Sequence, residues 1–276
     1  MNIFMRIYYF FMSLIMTFCI TFDIPARPLG PPVDLTGMEL VWSDEFNGDS
    51  LDTTKWRAHN GSLGGSVTKA YEGGYYCDRC IEVKDGNLIL SIKYFDGSEP
   101  GYPEGWYFAS IDSMPSFFDA YGYFECRAKL AKAVSGNCAF WLNCPNAYNY
   151  DLPKEEGVEV DIMESMRYGI DHEGCVENNI HYFDSTGHQK LRARWVIVDG
   201  NPYEEFNTYG LKWDENGYSF YVNGKECRNT DFGVSNGPEY IVLSNFMRDF
   251  TKKEIVGDSA DFIVDYVRVY RQSSAG

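Results

Sequence analysis

Three carboxylates stand within six residues of the segment EVDIME, at Glu159, Asp161 and Glu164. The residues between them are valine, isoleucine and methionine, which are typical of a buried β-strand. An ionised carboxylate is costly to remove from water unless it is paired. The three acids are therefore candidates for a functional site, and their chemistry depends on whether they face the same way.

The spacing of the acids predicts a β-bulge. Alternation along a strand puts Glu159 and Asp161 on one face and would put Glu164 on the other. One inserted residue, at Ile162 or Met163, reverses that phase and brings Glu164 to the face of the other two. Because bulges are common beside active sites, we predict one between Asp161 and Glu164.

Carboxyl groups in this arrangement can hydrolyse a glycosidic bond. Most glycosidases use two of them, one as nucleophile or base and the other as proton donor. A third carboxylate between the two can orient both and separate their pKa values, since crowded like charges cannot all ionise freely. Two other interpretations are open at this point, a solvated strand face and a divalent-cation site.

The elements that position these acids are short β-strands. Aromatic residues, which favour strands, make up 17% of the 276-residue chain. The sequence has no long helical periodicity, and turn dipeptides such as Asp85-Gly86 and Asn223-Gly224 separate the apolar runs. We predict an all-β sandwich or jelly roll with strands at 87–95, 121–130, 138–143, 206–213, 218–226 and 261–271.

Charge and the N-terminal segment bear on partners and location. A net charge of −16 argues against nucleic acid and anionic membrane surfaces as partners. Residues 1–24 contain an uncharged run from Ile7 to Phe22, which is short for a membrane-spanning helix and resembles a signal peptide. An uncleaved membrane anchor is the alternative. We expect a secreted, periplasmic or cell-surface protein with a Pro-rich linker at 25–35 and one catalytic domain at 36–272.

Cysteine usage allows disulfides in an exported chain. Six of the eight cysteines could pair in some combination: Cys77, Cys80, Cys138, Cys144, Cys175 and Cys227. Alternation puts Cys126 on the apolar face of its strand, and we interpret it as a buried core thiol. The Cys77-x-x-Cys80 pair could instead bind zinc, although the sequence has no second C-x-x-C.

The acid motif and its surroundings resemble glycoside hydrolase family 16. VEVDIME is similar to the family's bulged, laminarinase-like E-x-D-x-x-E signature. Further blocks follow the family's order over about residues 40–271: LVWSDEFNGDSLDTTKW, YGYFECRAKL with AFWLN, NNIHYF, FNTYGLKWDENGYSFYVNGK and VDYVRVY. The resemblance implies a β-jelly roll sandwich of two bent antiparallel sheets with a concave substrate cleft, and we expect a monomer.

The resemblance also implies an activity. By position, Glu159 would be the nucleophile, Glu164 the general acid/base and Asp161 the assisting carboxylate. The implied reaction is endo-cleavage of a β-linked polysaccharide with retention, through a covalent glycosyl-enzyme, and it requires no cofactor. Two alternatives stay open: a transglycosylase would use the same glutamates, and a carbohydrate-recognition protein on this fold would bind its ligand without cleaving it.

Four aromatic residues are candidate substrate contacts. Trp141 matches a family position under a sugar ring, with core packing as the alternative. His181 matches a position beside the acids, with a structural histidine as the alternative. Trp106 and Trp195 fall in predicted loops, where they could form outer subsites.

Two further expectations concern calcium and substrate. Many relatives bind one structural calcium ion, and the contributing positions correspond to Glu45 and Asp265 here, although both could be capping or turn residues. The loop at 143–157 has no tryptophan, and the segment 107–120 lacks an arginine that many β-1,3-glucanases carry. We therefore expect a β-galactan as well as a β-1,3-glucan among the candidate substrates.

Overall fold

The computed structural model describes residues 25–58, 67–70, 74–145, 147, 158–184, 186–191, 194–248, 255 and 257–273. Within these ranges the secondary structure consists of one short 3-10 helix at Asp78–Cys80 and eighteen β-strands. The strands are β1 (Met38–Asp44), β2 (Arg57–Ala58), β3 (Val67–Lys69), β4 (Tyr75–Cys77), β5 (Ile81–Lys84), β6 (Asn87–Phe95), β7 (Gly105–Asp112), β8 (Gly122–Lys129), β9 (Gly136–Asn143), β10 (Glu159–Ser165), β11 (Cys175–Asp184), β12 (Gly187–Lys190), β13 (Arg194–Ile197), β14 (Asn207–Asp214), β15 (Gly217–Val222), β16 (Lys225–Thr230), β17 (Tyr240–Met247) and β18 (Ser259–Gln272).

The strands form two sheets that share β7. Sheet A has the order β2-β7-β17-β9-β10-β11, and both β12 and β13 pair with β11. Sheet B has the order β16-β15-β14-β8-β18, and β18 also pairs with β1 and β6. These pairings are antiparallel, as expected for strands joined by short turns. The predicted all-β sandwich is therefore confirmed.

Local sequence accounts for several of these elements. Asp85 and Gly86 have φ angles of 52° and 74°, and Asn223 and Gly224 have φ angles of 51° and 70°. Positive φ at both central residues is the geometry of a type I′ turn, which matches the twist of a hairpin. These two pairs connect β5 to β6 and β15 to β16, where the register needs a two-residue turn.

The core between the sheets is rich in aromatic residues. Trp56 and Trp213 are 0% and 1% exposed, and each indole N–H has a partner. Trp56 Nε1 donates to Asp44 Oδ2 at 2.8 Å, and Trp213 Nε1 donates to the Ser235 carbonyl oxygen at 3.0 Å. A buried indole needs such a partner, and these bonds fix how the loops meet the core.

An N-terminal strap, residues 25–33, lies against the edges of both sheets. Ala26 accepts a hydrogen bond from Ile197 N and donates one to the Trp195 carbonyl oxygen, both at 2.8 Å. Further along, Gly30 N donates to the Glu226 carbonyl oxygen of β16 at 2.9 Å. This part of the predicted linker is thus docked on the domain by backbone hydrogen bonds.

The seven cysteines among the described residues are buried and free, so the disulfide prediction is wrong for the six cysteines that it covered. The sulfur atoms of Cys77 and Cys80 lie 3.7 Å apart without a bond between them. Cys227 Sγ lies 3.3 Å from the Phe220 carbonyl oxygen, and Cys138 Sγ accepts a bond of 3.4 Å from Ala131 N. Cys126 is fully buried, as predicted.

Across the described ranges, no helix has the length and apolar character needed to cross a membrane. The predicted leader, residues 1–24, lies outside the described residues, as does most of the loop at 143–157.

Candidate active site

The three acids lie on β10, in the interior of sheet A, and the predicted bulge is confirmed. Asp161 pairs with Asn179 and Glu164 pairs with Glu177, so three steps along β10 match two steps along β11. Since Asn179 and Glu177 are two residues apart, they point to the same side of the sheet, and their partners do too. We call the side that carries Glu159, Asp161 and Glu164 the acid face.

A buried asparagine holds the bulge in place. A bulge leaves a backbone carbonyl without its ladder partner. Here Asn178 Nδ2 donates to the Ile162 carbonyl oxygen at 2.7 Å, and the Asn178 side chain and backbone are 1% exposed. Arg228 Nη1 in turn donates to the Asn178 carbonyl oxygen at 2.9 Å. The sequence analysis did not single out Asn178, whose only local signal is a polar residue in an apolar strand.

Two amide groups hold the Glu164 carboxylate. Asn137 Nδ2 donates to Oε1 at 3.0 Å, and Asn179 Nδ2 donates to Oε2 at 2.5 Å. Both amides come from the strands that flank β10, and neither residue was predicted. N–H donors on both oxygens fix the orientation of the carboxyl group.

Asp161 is the most buried of the three acids, at 5% exposed. Burial raises the pKa of Asp161 well above its ordinary value, and the charges of Glu164 and Glu159 raise it further. His181 Nε2 lies 3.4 Å from Asp161 Oδ2. Burial lowers the pKa of His181 to about 4, with help from Lys190 and His188. Burial therefore favours the neutral form of both Asp161 and His181.

A hydrogen-bonded chain continues from His181 to the solvent. His181 Nδ1 lies 2.9 Å from Nε2 of His188 on β12, so one imidazole donates and the other accepts. One carboxylate oxygen each of Glu159 and Asp161 and one ring nitrogen of His181 lie within 4.8 Å of one another. The two ring nitrogens of His181 thus face different partners, Asp161 on one side and His188 on the other.

Trp141 lies on β9 directly opposite Asp161, so its ring is on the acid face. Its Nε1 donates to Ser244 Oγ at 3.2 Å, and the side chain is partly exposed. This geometry leaves an indole surface beside the acids. Its contact with substrate stays a prediction.

The other two tryptophans lie on strands, so the prediction of loops is wrong for both. Trp106 on β7 is 4% exposed and packs edge-on against Tyr94, which excludes it as an open sugar platform. Trp195 on β13 pairs with Glu177 and therefore lies on the acid face. The Arg167 guanidinium carbon lies 3.8 Å from the Trp195 ring centroid, so it covers one side of the ring.

The acid face also carries an ion pair that the sequence analysis missed. Arg57 Nε donates to both oxygens of Asp112, at 2.9 and 3.0 Å. Asp112 is fully buried, while the Arg57 side chain is half exposed. The pairing of β2 with β7, which links distant parts of the sequence, brings the two residues together.

The two residues predicted to bind calcium are each held by an arginine. Glu45 accepts bonds of 2.9 and 2.8 Å from Nε and Nη2 of Arg268, whose charge lowers the pKa of Glu45. Asp265 is bound by Arg127. Calcium requires several oxygen ligands with excess negative charge. Carboxylates already neutralised by guanidinium groups do not fit that requirement, so the donor set here does not match the expected ion.

Comparison with known proteins gives consistent matches. A family profile described as beta-porphyranase A-D, GH16 domain, matches residues 39–272. The chain is 27% identical over 253 residues to beta-porphyranase E of Zobellia galactanivorans, covering 83% of this chain and 85% of that protein. It is 29% identical to the keratan-sulfate endo-1,4-beta-galactosidase of Sphingobacterium multivorum, and the match covers 87% of this chain and 56% of that protein. Several curated relatives are longer, and the chain spans about half of their length, at 40%, 46% and 56%.

A solved structure shows the same fold. The catalytic domain of an endo-1,3-beta-glucanase (laminarinase) from Thermotoga petrophila superposes with a TM-score of 0.67 at 22% identity, covering 86% of this chain and 99% of that one. The jelly-roll class expected from the sequence is confirmed by this likeness.

Proposed function

This chain belongs to glycoside hydrolase family 16, and on that premise we propose that it is an exported, monomeric endo-β-glycosidase. It hydrolyses internal β-linkages of a polysaccharide with retention. The observation that carries the proposal is the bulge in β10, which turns Glu164 to the same face as Glu159 and Asp161.

The roles of the acids are those that the family resemblance implies by position. The Glu159 carboxylate attacks the anomeric carbon while the Glu164 carboxyl gives its proton to the departing glycosidic oxygen. Water then attacks the glycosyl-enzyme, Glu164 takes a proton from that water, and Glu159 leaves with its carboxylate restored. Asp161, whose neutral form is favoured by burial and which lies close to Glu159, assists by stabilising the charge that changes on its neighbour.

The substrate class is a β-linked polysaccharide, and we favour a β-galactan over a β-1,3-glucan. Two relatives, beta-porphyranase E and the keratan-sulfate endo-1,4-beta-galactosidase, support this preference. The departures from the laminarinase pattern at 107–120 and 143–157 point in the same direction. Trp141 and His181 contact the sugar rings next to the cleaved bond.

A polysaccharide panel tests the proposal. Purified protein is incubated with laminarin, mixed-linkage glucan, agarose, porphyran, carrageenan, keratan and mucin glycans, and reducing ends and product sizes are followed. We expect cleavage of at least one galactan to oligosaccharides of intermediate size. Retained binding without cleavage would favour the carbohydrate-recognition alternative, and products longer than the substrate would favour the transglycosylase.

Substitutions assign the roles. Glu159→Gln and Glu164→Gln should each remove nearly all cleavage while the protein stays folded, since both side chains are partly exposed. Glu164→Gln also gives up one of the two oxygens that accept from Asn137 and Asn179, so a small drop in its thermal midpoint is expected. The matched control is Glu39→Gln, an exposed glutamate on β1. Activity equal to wild type in either site variant would remove that residue from the mechanism.

A further inference from the structure

A fourth carboxyl group, Glu177, lies beside the general acid. Glu177 on β11 is the direct cross-strand partner of Glu164 on β10. Directly opposed residues of an antiparallel pair have Cβ atoms roughly 4.5–5.5 Å apart, with side chains on the same face. Glu177 is only 6% exposed, so little water screens one carboxyl from the other. The sequence motif does not include it.

The other neighbours of Glu164 are hydrogen-bond donors. Amide N–H groups of Asn137 and Asn179 donate to its two oxygens. The charges of three basic side chains act on Glu177: Arg167, Lys190 and Arg248. A general acid must nevertheless carry a proton near neutral pH. Some other group therefore has to oppose the amides and the basic side chains.

We propose that Glu177 is a positioning residue for Glu164, and that the two carboxyl groups form a pair which retains one proton at neutral pH. This inference rests on the proposed role of Glu164 as the general acid. Two carboxyl groups this close and this poorly screened cannot both ionise freely, so the pair loses its last proton at a higher pH than either group would alone.

The charges around the pair are consistent with one shared proton. Burial raises the pKa of Glu177 to about 7, and the charge of Glu164 contributes to that rise. Arg167 Nε lies 4.0 Å from Glu177 Oε1, so it can stabilise Glu177 as the carboxylate when the proton is on Glu164. Burial raises the pKa of Asp161, the other acid that faces the pair, well above its ordinary value and so favours its neutral form.

The pair serves both halves of the reaction. Before cleavage it holds one proton, which leaves through Glu164 to the glycosidic oxygen. Both carboxyl groups are then charged, and the repulsion makes Glu164 a stronger base. Glu164 regains one proton from the attacking water, so the proton count of the pair returns to one.

The pH dependence of kcat/KM in Glu177→Gln tests the pair. Glutamine keeps the size of the side chain and removes its charge, so Glu164 then faces only its amide donors and the basic groups. Glu164 should then lose its proton at lower pH, and the alkaline limb of the kcat/KM profile should shift to lower pH by roughly one unit or more. The matched control, Glu173→Gln, alters an exposed glutamate of the preceding loop and should leave the limb in place.

Two results would refute the proposed Glu164–Glu177 pair. One is that the alkaline limb of the kcat/KM profile of Glu177→Gln coincides with that of the wild type. The other is activity lowered by the same factor at every pH, which is the signature of a merely structural role. An aryl glycoside with an acidic leaving group needs little proton donation, so Glu177→Gln should lose less activity on it than on polysaccharide.

A titration without substrate separates this inference from the proposed function. The carboxyl ¹³C resonances of Glu164 and Glu177 are followed against pH in wild type and in each single Gln variant. We expect the midpoint of each group to fall when the other is replaced. If the titration midpoints do not move in the variants and the wild-type protein cleaves polysaccharide, the Glu164–Glu177 pair is refuted and the proposed function stands. If the midpoints move and the wild-type protein cleaves none of the polysaccharides, the proposed hydrolase is refuted and the pair stands.

Discussion

Glu239 offers a direct test of the electrostatics beneath the site. It is fully buried, and its Oε1 accepts a hydrogen bond of 3.0 Å from the backbone N–H of Val158, the residue before Glu159. Burial raises the pKa of Glu239 to about 8. The side chain therefore carries a proton at neutral pH, and Glu239→Gln is a close substitute for the protonated form.

The expected size of the effect follows from linkage. In the unfolded chain Glu239 has its ordinary pKa of 4.5, so the unfolded state releases this proton at lower pH than the folded state does. The free energy of unfolding therefore falls as pH rises from about 4.5 to about 8, and it levels off above. At about 1.4 kcal/mol per pKa unit, the loss at pH 7 is on the order of 3 kcal/mol. Glutamine does not titrate and keeps the acceptor for Val158.

Urea unfolding at several pH values measures this contribution. We expect wild type and Glu239→Gln to differ by less than about 1 kcal/mol at pH 5, and the variant to be more stable by about 3–4 kcal/mol at pH 7 to 8. The other buried acids, among them Asp112, Asp161 and Glu177, are present in both proteins and cancel in the difference. Parallel stability curves for the two proteins would refute the reasoning, because they would mean that Glu239 does not retain its proton on folding.

Three further substitutions test other parts of the description. Asp161→Asn should lower kcat on the order of 100-fold with little change in KM, because an amide cannot exchange a proton with its neighbours; an unchanged kcat would contradict the assisting role. Trp141→Ala should raise KM about 10-fold, the equivalent of losing one aromatic stacking contact, and an unchanged KM would place that ring outside the substrate path. Gly30→Ala should lower the thermal midpoint by about 3 °C, because its Cβ would lie 2.5 Å from the Glu226 carbonyl oxygen; calorimetry showing no change would mean that the strap adds nothing to stability.

Local sequence determined much of the fold. Strand β6 matches the predicted run at 87–95, because its alternation and the Asp85-Gly86 turn are both local signals. The bulge was also predictable, since a period of two leaves Glu164 out of phase unless one residue is inserted. The spacing and the physics of carboxyl groups made glycoside hydrolysis one of three open interpretations, and the individual roles of the acids came from the family resemblance.

The surroundings of the acids depend on strand register between distant segments. Asn137, Asn179 and Glu177 reach Glu164 because β9 and β11 pair with β10 in one particular register, and no short window of sequence contains that information. Trp106 is a similar case, because it was predicted to lie in a loop while the pairing of β7 with β6 buries its ring.

The predicted calcium residues show a different limit. Glu45 and Asp265 were identified by position alone, yet the charge that each meets is that of an arginine. Arg268 is three residues from Asp265 in β18, yet it binds Glu45, which directly follows β1. The two residues meet because β1 pairs with β18. A local motif can therefore identify acidic residues, whereas the pairing of distant strands decides which positive charge lies beside each of them.

The N-terminal strap also makes the two ends of sheet A unlike. At one end, Ala26 forms backbone hydrogen bonds with Trp195 and Ile197 of β13, so the strap covers that edge of the sheet. At the other end, β2 is only two residues long and pairs with β7. A glycan that crosses the strands of sheet A past the acids would therefore meet a covered edge at one end and a short edge strand at the other, and the two ends of the cleft would not be equivalent.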